Sequence, residues 1–181
     1  MDRSRLLVAL GFVLMGVMSR LIPHPPNFTA ITAMALLGTF YLGDRKLALL
    51  AIFSCMLLSD GVWGVHSTMV FVYASFGLVV WMGFILAKTK SLYLSPLFSV
   101  AGSLVFFGLT NFGIWLTGEM YPQTWQGFCL CYVAALPFLA NQVLGDLFYG
   151  ALIIGSFSLI ARFFPHSSFK PFSLQDARAK S

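Results

Sequence analysis

The chain has 181 residues, of which 59% are hydrophobic and 9% charged, and its mean hydropathy is +0.86. Eleven basic and six acidic side chains cannot cover a soluble globule, which carries about 25% charged residues. That excludes a soluble enzyme, a nucleic-acid-binding domain and a disordered chain, and leaves an all-α polytopic membrane protein.

Charges and helix breakers divide the chain into apolar runs. A membrane helix needs about 20 residues, so the first helix is predicted over about 4–22. It ends at Arg20 and the breaker run Pro23-His24-Pro25-Pro26. Residues 6–19 resemble the apolar core of a leader peptide, but no small-x-small cleavage site follows, so the segment is read as a helix. The next helices are predicted over about 27–43, 46–61, 66–87 and 92–116. Residues 120–161 hold a single charge, Asp146. They fit two spans, about 124–141 and 143–163, or a short interfacial segment, about 123–135, before one span, about 137–163. Pro137 favours the second arrangement, because proline suits a first helical turn and disrupts an interior. The organisation predicted is a six-helix membrane domain over 1–164 and a polar cytoplasmic tail over 165–181.

Basic residues collect on the cytoplasmic side of membrane proteins. With six spans and both termini in the cytoplasm, ten of the eleven bases lie inside and only Arg20 lies outside. A seventh span would split them six to five. The net charge of +5 is therefore read as a topology signal rather than as affinity for nucleic acid. The expected location is the cell (inner) membrane, with the lipid bilayer as partner.

The same topology sends the polar groups to the outer half. Asp60, His66 and Glu119 fall at outer helix ends with Arg20 and His24. Trp63, Trp115, Tyr121 and Trp125 lie on that side too, where such residues commonly act as interfacial anchors. Asp146 falls roughly 13 Å into the last helix. A carboxylate there costs about 2.5–3.5 kcal/mol on insertion scales, so it should face the bundle interior. A structural ion pair, with Arg20 as one candidate, competes with a ligand contact. Gln142, Asp146 and Tyr149 share one helix face, as do His66, Tyr73 and Gly77, and Asn111 and Trp115; Thr29 and Thr32 are near neighbours. These groups either line a polar-aromatic pocket or hold helices together. Small residues recur at four-residue spacing in Ser95-Ser99-Ser103, Gly83-Ala87 and Ala151-Gly155, which permits close helix approach within the bundle or docking of a partner.

Catalysis is not expected. No nucleophile elbow, zinc-protease motif or phosphate-binding loop occurs. The three cysteines form neither a disulfide framework nor a zinc site. Cys129 and Cys131 are read as packing residues, with a soft-metal or cobalt contact as the competing use. No cofactor and no resident metal are expected.

The segment Arg20-Leu21-Ile22-Pro23-His24-Pro25-Pro26-Asn27-Phe28-Thr29 resembles the opening motif of a bacterial family of small transport-type membrane proteins. Leu58-Ser59-Asp60, Val65-His66-Ser67-Thr68-Met69 with Phe71-Val72-Tyr73, Thr110-Asn111-Phe112-Gly113, Tyr121-Pro122 and Cys131 through Phe138 with Asn141 and Gly145-Asp146-Leu147 extend the resemblance over about residues 19–160. Size, span number and the Leu-Pro-Phe…Gly-Asp-Leu opening of the last helix are similar to S components of energy-coupling-factor vitamin transporters. The resemblance implies a six-helix S-component-like bundle that binds a vitamin or related micronutrient, with cobalamin as the first guess, in an outward-facing pocket. It also implies a transmembrane coupling subunit with ATPases as a partner, although the Ala-rich docking motif expected in the first helix is not clear. The residues expected to bind or support substrate are Asn27, Asp60, His66, Tyr73, Asn111, Trp115, Asn141 and Asp146. Two other classes stay open: a proton- or ion-coupled secondary carrier using Asp146 and His66, and a non-transporting membrane scaffold or assembly factor.

Overall fold

A computed structural model describes residues 3–163. The tail expected from 165 onward, with Lys170, Arg178 and Lys180, lies outside the described residues, as do Asp2, the side chain of Arg3, and Asp176. The described residues form seven helices and no strand: α1 (Arg3–Leu21), α2 (Ile31–Leu42), α3 (Arg45–Trp63), α4 (Met69–Thr89), α5 (Ser95–Thr117), α6 (Trp125–Ala134) and α7 (Leu136–Phe163). A single 3-10 turn, Leu92–Leu94, leads into α5. Four helical segments are long and apolar enough to cross a membrane: α3, α4, the 3-10 turn with α5, and α7. The shorter α2 is apolar too, and α1 has 19 residues.

Each boundary has a local cause. Asp44 caps α3, its Oδ1 accepting from the Lys46 amide at 2.8 Å and the Leu47 amide at 3.1 Å, which satisfies donors that the first turn leaves orphaned. Gly43 closes α2 in the left-handed region at φ 65°, as glycine readily does at a helix end. Thr124 caps α6 by accepting from the Gly127 amide. Ala135 separates α6 from α7, and Pro137 is the second residue of α7, where its missing N–H costs no helical hydrogen bond. The chain therefore takes the predicted arrangement of a short helix before one long helix.

Two predicted boundaries shift. The second helix begins at Ile31, not near residue 27, because Asn27 sits at φ 65° and the Phe28 and Thr29 amides bond back to Pro25 and Asn27 as a turn. The fourth begins at Met69, so His66 precedes it and shares no helix face with Tyr73.

All twelve residues of α2 are buried. Its sequence, Ile31-Thr-Ala-Met-Ala-Leu-Leu-Gly-Thr-Phe-Tyr-Leu42, has no polar face, and a helix apolar all round belongs in an interior. α1, α3, α4, α5 and α7 pack around it, and α6 lies outside against α5 and α7. At Gly83 of α4 the contact is backbone to backbone. A Cβ there would come 3.0 Å from the Ala35 carbonyl oxygen and closer still to that of Leu36, so only glycine lets α4 approach α2. Tyr41 of α2 stacks on Phe157 of α7, ring centroids 3.9 Å apart. The serine row of α5 is buried, whereas Ala151 and Gly155 of α7 face outward.

The outer faces carry large apolar side chains in the open: Leu7, Leu50, Leu57, Val70, Leu97, Leu144 and Leu159 are all more than half exposed. Water penalises such a surface and hydrocarbon does not.

Candidate functional site

The loop 22–30 crosses the end of the bundle from α1 to α2. Its far end is pinned to α1, where the Ala30 amide donates to Ser19 Oγ at 3.1 Å. Its middle is pinned to α7, where Phe28 packs between Phe148 and Tyr149, ring centroids 5.8 Å away in each case. A carbonyl oxygen can only accept, so the 2.7 Å contact of His24 Nδ1 with Pro25 O makes Nδ1 the protonated nitrogen and leaves Nε2 as an acceptor in the neutral ring.

Beneath this loop lies a cleft of about 630 Å³. Its mouth carries Leu21, Ile22, Pro23, His24, Asn27, Trp63 and His66. Its depth is formed by Ile31, Thr32, Met56, Phe76 and Gln142, all buried, with Val72 and Phe106 on the walls. Arg20 and Thr29 complete it. The result is an apolar, aromatic chamber with a few polar groups, the usual composition of a small-molecule site.

Two buried carboxylates flank the cleft, and their surroundings differ. Asp60, near the end of α3, is 5% exposed and faces Arg20 of α1, Nη1 to Oδ1 at 2.7 Å. Tyr73 of α4 donates to its Oδ2 at 2.8 Å, and Arg20 Nη1 also donates to Ser59 Oγ at 2.5 Å. Charge, counter-charge and hydroxyl donor thus join α1, α3 and α4 beside the cleft. Asp146, in α7, is 1% exposed and has only neutral partners. Ser103 of α5 donates to its Oδ2 at 2.7 Å. The Thr32 side chain and the Ala33 amide also neighbour the carboxyl group, and Oδ1 has no hydrogen-bond partner. Thr32 and Ala33 belong to the first turn of α2, whose N–H groups lack helical partners and carry partial positive charge. The α2 N-cap position, Ala30, offers no side-chain acceptor, and the carboxyl group of Asp146 approaches this turn from a different helix.

The structure divides the eight predicted site residues. Asn27 and His66 line the mouth of the cleft, His66 through a ring whose Nδ1 meets Thr68 Oγ1 at 2.9 Å. Asp60, Tyr73 and Asp146 stand behind its lining, Asp60 and Tyr73 through Arg20 and Asp146 through Thr32. The remaining three are not part of it. The Asn111 side chain turns back on its own helix, Nδ2 donating to Phe107 O at 2.8 Å, and the Asn111 backbone carbonyl accepts from the buried Cys131 thiol at 3.5 Å. Trp115 Nε1 donates to Pro122 O at 3.1 Å, and Gln123 Nε2 donates back to Trp115 O. Both residues fasten α6 and its leading loop to α5. Asn141 is half-buried on α7, away from the cleft lining. The ion-pair partner of Arg20 is Asp60, so the alternative pairing with Asp146 is corrected.

Gln142 and Thr32, noted in the sequence as helix-face neighbours but not among the predicted site residues, form the polar floor. The apolar lining residues Met56, Phe76 and Phe106 carry no such signal; in sequence they are indistinguishable from lipid-facing positions. Cys129 is exposed and Cys131 is buried, so the two thiols do not face a common point. No group of three metal-ligating side chains occurs among the described residues.

No curated protein and no solved structure matches this chain. One family model does, over residues 1–167, and the chain accordingly belongs to that family, described as a family of unknown function (DUF6580).

Proposed function

We propose that this chain is a membrane uptake protein of S-component type, with six spans and both termini cytoplasmic, that binds a water-soluble micronutrient of the vitamin class from the outside. The observation that carries the reading is the cleft: about 630 Å³, within the roughly 300–1,000 Å³ of small-molecule sites. It combines aromatic walls with the polar groups of Arg20, His24, Asn27, Thr32 and Gln142. The loop 22–30 covers it, and the end of the bundle that holds it is the one the distribution of basic residues puts outside. Capture would rest on desolvated hydrogen bonds and ring packing, with no bond made or broken. Inward release calls on a rocking of the bundle, driven by a transmembrane coupling subunit with ATPases or by an ion gradient.

The experiment is mass spectrometry of small molecules retained by the purified full-length protein, followed by titration of the retained compound. Retention of one compound, lost in a Thr32→Val or Gln142→Met variant, supports the reading. A protein that carries no compound and does not alter uptake in cells overturns it.

Asp146 favours a second reading, a proton-coupled carrier. A membrane carboxylate with neutral partners alone is suited to gain and lose a proton. Uptake that follows membrane potential and ignores ATP depletion would select it.

A further inference from the structure

The polarity of the cleft floor narrows the ligand chemistry. Gln142 is 3% exposed and lines the cleft, yet its Oε1 has no hydrogen-bond partner. Its Nε2 is committed toward Thr32 Oγ1 at 3.5 Å. Thr32 in turn faces the Asp146 carboxylate. The Thr32 hydroxyl oxygen accepts from the amide. The amide must then direct its N–H group at Thr32, and its carbonyl is the group left for the cleft. Ser103 donates to the Asp146 carboxyl group at Oδ2.

The other end of the cleft has the opposite character. Arg20 makes its contacts with Asp60, Ser59 and Met56 through Nη1. A guanidinium has five N–H donors on three nitrogens, so Nε and Nη2 remain for a ligand at the wall. Phe76 and Phe106, ring centroids 5.0 Å apart, line the same cleft.

We infer, on the basis of the uptake reading above, that the ligand is a flat nitrogen heterocycle with N–H donors at one end and a carboxylate or carbonyl at the other. The N–H end docks on Gln142 Oε1 at the floor, the acceptor end meets Arg20, and the ring lies along Phe76 and Phe106. A ligand without the donor leaves a buried carbonyl unpaired, which weakens binding roughly tenfold or more.

The test uses the full-length protein in detergent and two probes of similar shape. 6-Carboxypterin carries ring N–H and amino donors; quinoxaline-2-carboxylate carries the bicyclic ring and carboxylate without them. The wild type should bind 6-carboxypterin about tenfold tighter or more. Gln142→Met should reduce that preference to within about twofold without weakening quinoxaline-2-carboxylate. Equal binding of the two probes by the wild type, or no binding of 6-carboxypterin, overturns the inference, and the wild-type comparison stands even if the variant does not fold. The compound retained on purification separates the two levels of argument. A retained small molecule that lacks N–H donors ends this inference and leaves the uptake reading intact. No retained compound and no uptake phenotype end both.

Discussion

Arg20 Nη1 and Asp60 Oδ1 stand 2.7 Å apart, an ion pair that joins α1 to α3 at the wall of the cleft. Asp60 is 4% exposed at its side chain and Arg20 19%, so removing either partner strands a largely buried charge. Asp60→Ala is expected to lower stability by about 3 kcal/mol, read as a drop in the midpoint of unfolding in detergent. Arg20→Met combined with Asp60→Leu should cost clearly less than the sum of the single changes, because no charge is left alone. Additive costs would show that the pair is not coupled. Tyr73→Phe removes one donor to a charged acceptor and should cost about 1.5–3 kcal/mol.

Two glycines of α4 make a matched pair. A methyl group at Gly83 meets the carbonyls of α2, while one at Gly77 meets nothing within 4 Å. Gly83→Ala should destabilise by about 1–3 kcal/mol, because backbone cannot step aside as a side chain can. Gly77→Ala should be neutral or stabilise by up to about 1 kcal/mol through helix propensity. Thermal melting of the two variants side by side decides the matter, and equal behaviour would contradict the packing described for α2 and α4.

Ligand retention should separate the cleft from the residues that fasten α6. Thr32→Val keeps the shape of the floor but removes its hydroxyl, and retention of the copurified compound should fall about tenfold. Asn111→Ala removes a side-chain bond within α5, away from the cleft, so retention should persist while stability falls by about 1 kcal/mol. Loss of ligand in Asn111→Ala with normal retention in Thr32→Val would move the binding site to α6.

The cysteines report orientation. Cys129 is exposed, whereas Cys55 and Cys131 are buried. In right-side-out membrane vesicles an impermeant maleimide should label the wild type at Cys129, and Cys129→Ser should abolish the label. Labelling that needs permeabilised vesicles would place α6 on the cytoplasmic face and reverse the proposed topology.

Much of the helical layout was legible because charge and proline mark the ends of apolar runs. Pro137 alone favoured a short helix before a long one, and α6 and α7 follow it. The start of α2 was not legible, since Asn27-Phe28-Thr29 carries no charge and no proline to mark a break. The turn there depends on Asn27 at positive φ and on Phe28 meeting Phe148 and Tyr149, a contact between distant parts of the chain. Asp146 was read as facing the interior, which it does, but its neighbours were not deducible. Helix periodicity gives the face of α7 and says nothing of which helix lies opposite. For the same reason Arg20 could be assigned two carboxylates until packing chose Asp60. The apolar half of the cleft was invisible, because Met56, Phe76 and Phe106 differ from lipid-facing residues only by what stands across from them.

The central helix has an electrical consequence. Twelve residues make α2 about 18 Å long, against about 30 Å for the hydrocarbon core of a bilayer. The cleft reaches down to Thr32, the second residue of α2. On the uptake reading, with the cleft open to the outside solution, a membrane voltage falls mainly across the packed segment that remains. The field there is steeper than in the surrounding lipid by about the ratio of 30 to 18. On the same reading Asp146, beside the first turn of α2, sits at the entrance to that compressed field, where even a short displacement of charge is coupled to the membrane potential.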